Sequence, residues 1–162
     1  MHAWLLPWAR WLEHSDLGTA IRTSLWLYPA AEVGHLLGLG VLVGTAVAFD
    51  LRLIGAARGL PVDGLARLLL PCARLGFGLL VVTGLLLFSA NATTLLSGVF
   101  AAKLGAITLG VVNASLFHRG LFPSVAEWNI GMPSPVPVRL TAIISLASWT
   151  TALVCGRLLA YL

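Results

Sequence analysis

Four stretches of the chain are apolar almost throughout, near 26–49, 65–89, 96–118 and 138–161, and the polar positions gather between them. A helix rises about 1.5 Å per residue, so about 20 residues cross the hydrocarbon layer of a bilayer, and each stretch meets that length. No run of alternating apolar and polar residues competes for strand structure. The pattern predicts an all-α integral membrane protein, a four-helix transmembrane bundle forming a single domain over 1–162. Ahead of the first span, Trp4, Trp8 and Trp11 recur at helical spacing with Arg10, Glu13 and His14 nearby. Tryptophan favours the headgroup level, so 3–22 reads as an amphipathic interfacial helix or a pair of short helices, kinked near Pro7. It lacks the basic start of a secretory signal. The segment Phe122 to Pro137 carries four prolines and is the one long loop, a flap for the end of the bundle it borders.

Composition narrows the class. Of 162 residues, 59% are hydrophobic and 10% charged, where soluble domains carry about a quarter charged residues. Sixteen charges cannot cover a globular surface, and a soluble fold is excluded. The net charge of +4 is spread along the chain, with none of the clustering that nucleic-acid binding demands. Arg52, Arg58, Arg67, Arg119 and Arg139 flank the loops after spans 1 and 3, against Arg10, Arg22 and Arg157 at the termini. That bias predicts that both termini lie outside the cytoplasm. Cys72 and Cys155 lie in apolar stretches with no zinc or CxxC spacing. No P-loop, dinucleotide fingerprint, HExxH or GxSxG is present.

Chemistry must therefore come from polar residues inside the spans, each costing about 2.5 kcal/mol or more to insert. Span 1 holds Glu32 and His35, one helical turn apart, among Gly34, Gly38, Gly40 and Gly44. Those glycines form small-xxx-small pairs that admit a close neighbour, within the bundle or in a homo-oligomer. Span 3 holds Lys103, Asn113 and His118; span 4 holds Trp149 and Arg157. Depth sorts these into two layers. Glu32, His35 and Lys103 fall in the starting halves of parallel spans and are expected to share one polar site, with Glu32 and Lys103 as an ion pair or Glu32 orienting His35. Asp50, Arg52, Arg74, His118 and Arg119 collect at the opposite side, where Arg74 snorkels or pairs with Asp50.

One iron held by both His35 and His118 is opposed by arithmetic, because their depths differ by roughly 15–20 Å. His35, deep in a glycine-rich helix, is the better ligand of a tetrapyrrole, with Tyr28, Phe100 and Trp149 as walls. His118 reads as interfacial. Copper suits thiolates and thioethers, and neither methionine, Met1 nor Met132, lies in a span.

The chain resembles a family of small bacterial four-span membrane proteins of unknown function, which implies a place in a bacterial inner membrane. The likeness runs through Leu27-Tyr28-Pro29, Glu32 and His35, Asp50 to Gly55, Thr83 to Phe88, Phe100 and Lys103, Asn113 to His118, and Gly156 to Tyr161. More distantly it is similar to the CopD copper-resistance membrane domain and to HemJ-type protoporphyrinogen oxidases. The HemJ resemblance implies haem b at His35, with Lys103 or His118 as further ligands. It departs in lacking a histidine at the end of span 1, where Asp50 and Arg52 stand. The expectation is a redox or electron-transfer protein binding haem b or a quinone, with a membrane redox partner. CopD-like copper or small-solute transport and a structural anchor subunit are the alternatives.

Overall fold

The computed structural model describes residues 5–161, and Trp4 lies outside them. Among the described residues every regular element is helical. Two short helices, α1 (Leu6–Glu13) and α2 (Asp16–Thr23), precede the first span. The break between them falls at His14 and Ser15 rather than near Pro7. Pro7 stands in the first turn of α1, where a missing N–H costs nothing, while Ser15 caps α2 by accepting from Gly18 N at 3.2 Å. Exposed Trp8 and Trp11 give the pair an outward aromatic face. Ala9 and Gly18 face inward, Gly18 against the Ser89 carbonyl at the far end of span 2.

The four spans are α3 (Leu27–Ile54), α4 (Val62–Ala90), α6 (Gly98–Leu116) and α7 (Val136–Leu158). The short α5 (Ala92–Leu95) joins the middle two, its Thr93 N–H and hydroxyl both donating to Glu13 Oε1 at 2.8 Å. All four spans are long and apolar enough to cross a membrane. They run further than the apolar pattern suggests: α3 continues five residues past Phe49, and α6 passes into a π-helix at Phe117–Leu121 and a 3-10 helix at Phe122–Glu127. Four crossings put both chain ends at one end of the bundle, here the terminal end. The Ile54–Val62 and Phe122–Pro135 connections form the loop end.

The spans pack in the order α4, α3, α7, α6, with α3 against both α4 and α7 and α6 against α7. Glycine explains the closest of these seams. A Cβ on Gly38 would lie 3.0 Å from the Gly76 carbonyl oxygen, and one on Gly76 would lie 2.9 Å from Leu42 N. Gly40 and Gly44, by contrast, have nothing within 4 Å and face outward. No close backbone packing joins α4 to α6; near the terminal end Phe88 and Phe100 stack between them at 5.2 Å.

The loop end is closed by a hydrogen-bonded lid. Arg52, 2% exposed, donates from Nε to Leu60 O at 2.7 Å and from Nη2 to Asn129 O at 2.9 Å and Arg58 O at 3.2 Å. Asn129 also binds Asp63 through Nδ2 at 2.9 Å and accepts from Asp63 N at 3.1 Å. Trp128 sits beneath, buried with Phe49, Leu53, Val62, Phe117 and Val138. The proline-rich segment is thus a flap over the loop end, as its composition suggests.

Candidate functional site

At the terminal half, His35 faces α4. Thr83 commits its hydroxyl proton to Leu79 O at 2.7 Å, so at 3.0 Å it accepts from His35 Nδ1–H. The imidazole edge lies over Gly84, where a Cβ would approach Cε1 to 3.3 Å. Lys103 is half-buried with its Nζ over Gly156 of α7, where a Cβ would approach it to 3.3 Å; Phe100, one turn before it, stacks on Phe88, one turn beyond the Gly84 that His35 covers. These two therefore share a layer.

Glu32 does not join them. It is exposed on the outer surface of α3, and the described residues hold no ion pair between it and Lys103. The buried face of α3 is set by Ala31, Gly38, Leu42, Phe49 and Leu53, and Glu32, next to Ala31, is turned off that line. Tyr28 accepts from Asn91 Nδ2 at 3.4 Å and ties the start of α3 to the connection between spans 2 and 3. Gly34 and Gly38, expected to make room for a flat ring, are filled by Thr83 and the α4 backbone.

The loop half holds the better-formed site, a cavity of about 110 Å³ among all four spans. Thr45 and Asp50 (α3), Asn113 and His118 (α6 and its π-helical extension), and Thr141 and Ser145 (α7) supply its polar lining; Leu42, Phe49, Leu69, Leu70 and Phe117 are among its apolar walls. Trp149 forms its floor. That ring is buried between Gly110, where a Cβ would lie 3.1 Å from its Cζ2, and Phe77, edge-on at 6.4 Å. Trp149 thus belongs to this cavity rather than to the walls of a ring site at His35.

His118, read from the sequence as interfacial, lines the cavity. Its Nδ1–H donates to Ala114 O at 2.7 Å, which places the lone pair on Nε2. Nε2 is buried and has no partner, and Asp50 Oδ2 is likewise buried and bare. Asn113 is anchored by donating from Nδ2 to Thr141 O at 2.9 Å, and Ser145 stands beside the Asp50 carboxyl. Arg74 is exposed and leaves Asp50 unpaired. An unsatisfied buried polar atom costs about 1–3 kcal/mol, so two of them on residues that line one cavity are a pair of acceptors without donors.

The cavity is a poor fit for a haem or a copper ion. Pockets that hold sizeable organic ligands run to about 300–1,000 Å³, so a macrocycle does not fit here. Neither this cavity nor a shallow groove between α6 and α7 includes His35. Fifteen residues of α3 separate His35 from Asp50, about 22 Å along the helix, so the two histidines serve different layers. Neither cysteine lines the cavity, and among the described residues no three His, Cys, Asp or Glu side chains converge on a metal position. Comparison with known proteins offers no precedent: no family model, no curated protein and no solved structure matches this chain.

Asp50, Asn113 and Ser145 are site residues that a search for ligand types passes over. The available signal was depth, since the three lie on three different spans at similar distance from the loop end. The bare state of Asp50 and the inward turn of His118 depend on packing order and on the π-helix, which no local pattern encodes.

Proposed function

We propose that this chain is an intramembrane redox protein whose loop-half cavity binds a quinol headgroup and takes up its protons. One observation carries the reading: Asp50 and His118 line the same cavity, and each carries a buried atom, Oδ2 and Nε2, without a hydrogen-bond partner. A quinol carries two hydroxyl donors on a ring of modest size, which matches two acceptors within apolar walls. When a membrane redox partner withdraws the two electrons, the two hydroxyl protons have His118 and Asp50 as acceptors, and a quinone is left. The Nδ1–H bond to Ala114 holds the imidazole in the accepting tautomer, the usual device for aiming a functional histidine.

Haem b is the weaker reading, because the cavity beside His118 is too small for a macrocycle and His35 is packed against Thr83 and Gly84. Copper is weaker still, for want of sulfur ligands. The arginine bias supports an inner-membrane orientation with the loop end cytoplasmic.

The test is to purify the protein in mild detergent, extract its bound lipids with solvent and quantify quinone per protein. Wild type is expected to retain quinone and to show no Soret band. Asp50→Asn and His118→Ala are expected to lose it, while His35→Ala retains it. Wild-type protein free of quinone that also fails to bind an added short-tailed quinol would overturn the reading.

A further inference from the structure

The cavity's walls differ from one another, and the difference indicates how a ligand enters. The residues contributed by α3 and α7 are mostly shut away: Phe49 is 5% exposed, Leu53 2% and Trp149 8%. All three contributed by α4, Leu69, Leu70 and Ala73, are partly exposed, and so are Ala114 and His118 on the facing edge of the α6 side, while Asn113 and Phe117 of that side are buried. These two groups stand on the pair of spans that do not pack closely. The other exits are closed. Towards the loop end lie buried Trp128 and the hydrogen bonds of Arg52 and Asn129; towards the terminal end lies Trp149, wedged between Gly110 and Phe77.

Both sides of the open seam also carry irregular backbone. Pro71 interrupts α4 between Leu70 and Ala73, removing one intrahelical hydrogen bond. Across from it, α6 gives way at Phe117–Leu121 to a π-helix, a form that recurs at functional sites. The two segments best able to shift are the two that border the opening.

We infer that the cavity is filled sideways from the bilayer, through a portal between α4 and α6 whose lips are Ala73 and Ala114. The inference rests on the quinol reading for the identity of the ligand, and on packing alone for the route. A ligand that uses this route is dissolved in the lipid, and its tail remains in the seam while its headgroup meets Asp50 and His118. Small lip residues are part of the specificity: they leave room for a chain of methylene-like width.

The route is tested without any ligand. In a Cys72→Ser, Cys155→Ser background, nitroxide labels are placed singly at Ala73→Cys and Ala114→Cys in lipid vesicles, and collision with oxygen and with a water-soluble nickel chelate is measured. Leu85→Cys, on the exposed face of α4, serves as the lipid reference and Gly59→Cys as the water reference. The portal predicts oxygen collision matching the Leu85 label and loss of nickel collision at both lips. Low collision with both reagents would mean a sealed seam, and nickel collision like that at Gly59 would mean an aqueous route; either overturns the portal. A second measurement uses Ala73→Trp and Ala114→Trp, which are expected to abolish loading of a short-tailed quinol from vesicles while Asp50 and His118 stay in place. Normal loading into both tryptophan variants also overturns it. An open seam in a protein that binds no quinol supports the portal and rejects only the ligand.

Discussion

Asp50 and Arg52 stand two residues apart near the end of one helix, and their surroundings assign them opposite roles. Arg52 is buried beneath the lid and donates to three backbone carbonyls, one in each of Arg58, Leu60 and Asn129. Hydrogen bonds from a charged group contribute about 1.5–3 kcal/mol each, part of which water recovers on removal. Arg52→Ala is therefore expected to destabilise the fold by about 3 kcal/mol and to open the Ile54–Val62 connection to protease, read by denaturant unfolding in micelles and by limited proteolysis. Asp50 holds a bare buried oxygen, and its presence weakens the fold. Asp50→Leu is expected to raise stability by about 1 kcal/mol in the same unfolding assay while eliminating quinol retention. A destabilised Asp50→Leu protein would mean that the carboxyl has a structural partner, and would count against its role as a waiting acceptor.

The helices repeat this division between packing and opening. Gly38 and Gly76 meet backbone to backbone, so Gly38→Ala forces a Cβ against the Gly76 carbonyl, which has no flexible end to move aside. Overpacking of this kind costs about 1–3 kcal/mol, and Gly38→Ala is expected to lower the unfolding midpoint by a corresponding amount. Gly40→Ala and Gly44→Ala, which meet nothing within 4 Å, are expected to leave that midpoint unchanged or slightly raised. From the sequence these glycines form one motif, and only the neighbour separates them. The same holds for the site. Four apolar runs of spanning length reveal the elements, and the depth of each polar residue places Asp50 and His118 in one layer and His35 and Lys103 in another. Which way a residue turns is another matter. Glu32 and His35 differ by about 60° around the helix axis, enough to put one outside and the other against α4. His118 reads as a headgroup residue only if the helix stops there, whereas the π-helix and the folded flap carry the interior past it.

At the scale of the whole molecule, the two ends of the bundle are built differently, and charge follows the construction. The terminal end is covered by two short helices with exposed Trp8 and Trp11, while the loop end is a polar lid around Arg52, Asp63 and Asn129. Five arginines, at 52, 58, 67, 119 and 139, belong to the loop end, and three, at 10, 22 and 157, to the terminal end. Positive charge in short loops is retained on the cytoplasmic side during insertion, so the lid is expected to face the cytoplasm and both termini the opposite compartment. Arg52 is fixed inside the lid and Arg67 is paired with Asp63 at 3.1 Å, but both bonds form after the spans are inserted, so both charges count when orientation is decided. A reporter active only in the cytoplasm, fused after Leu162, is expected to be silent, and the same reporter inserted at Gly59 is expected to be active. Because the margin is only two arginines, Arg58→Ala together with Arg119→Ala should leave the orientation mixed, with both fusions partly active. Equal reporter activity in the unaltered protein would mean an even number of crossings between the two sites or a dual orientation from the outset; fusion pairs on either side of each span separate these two outcomes.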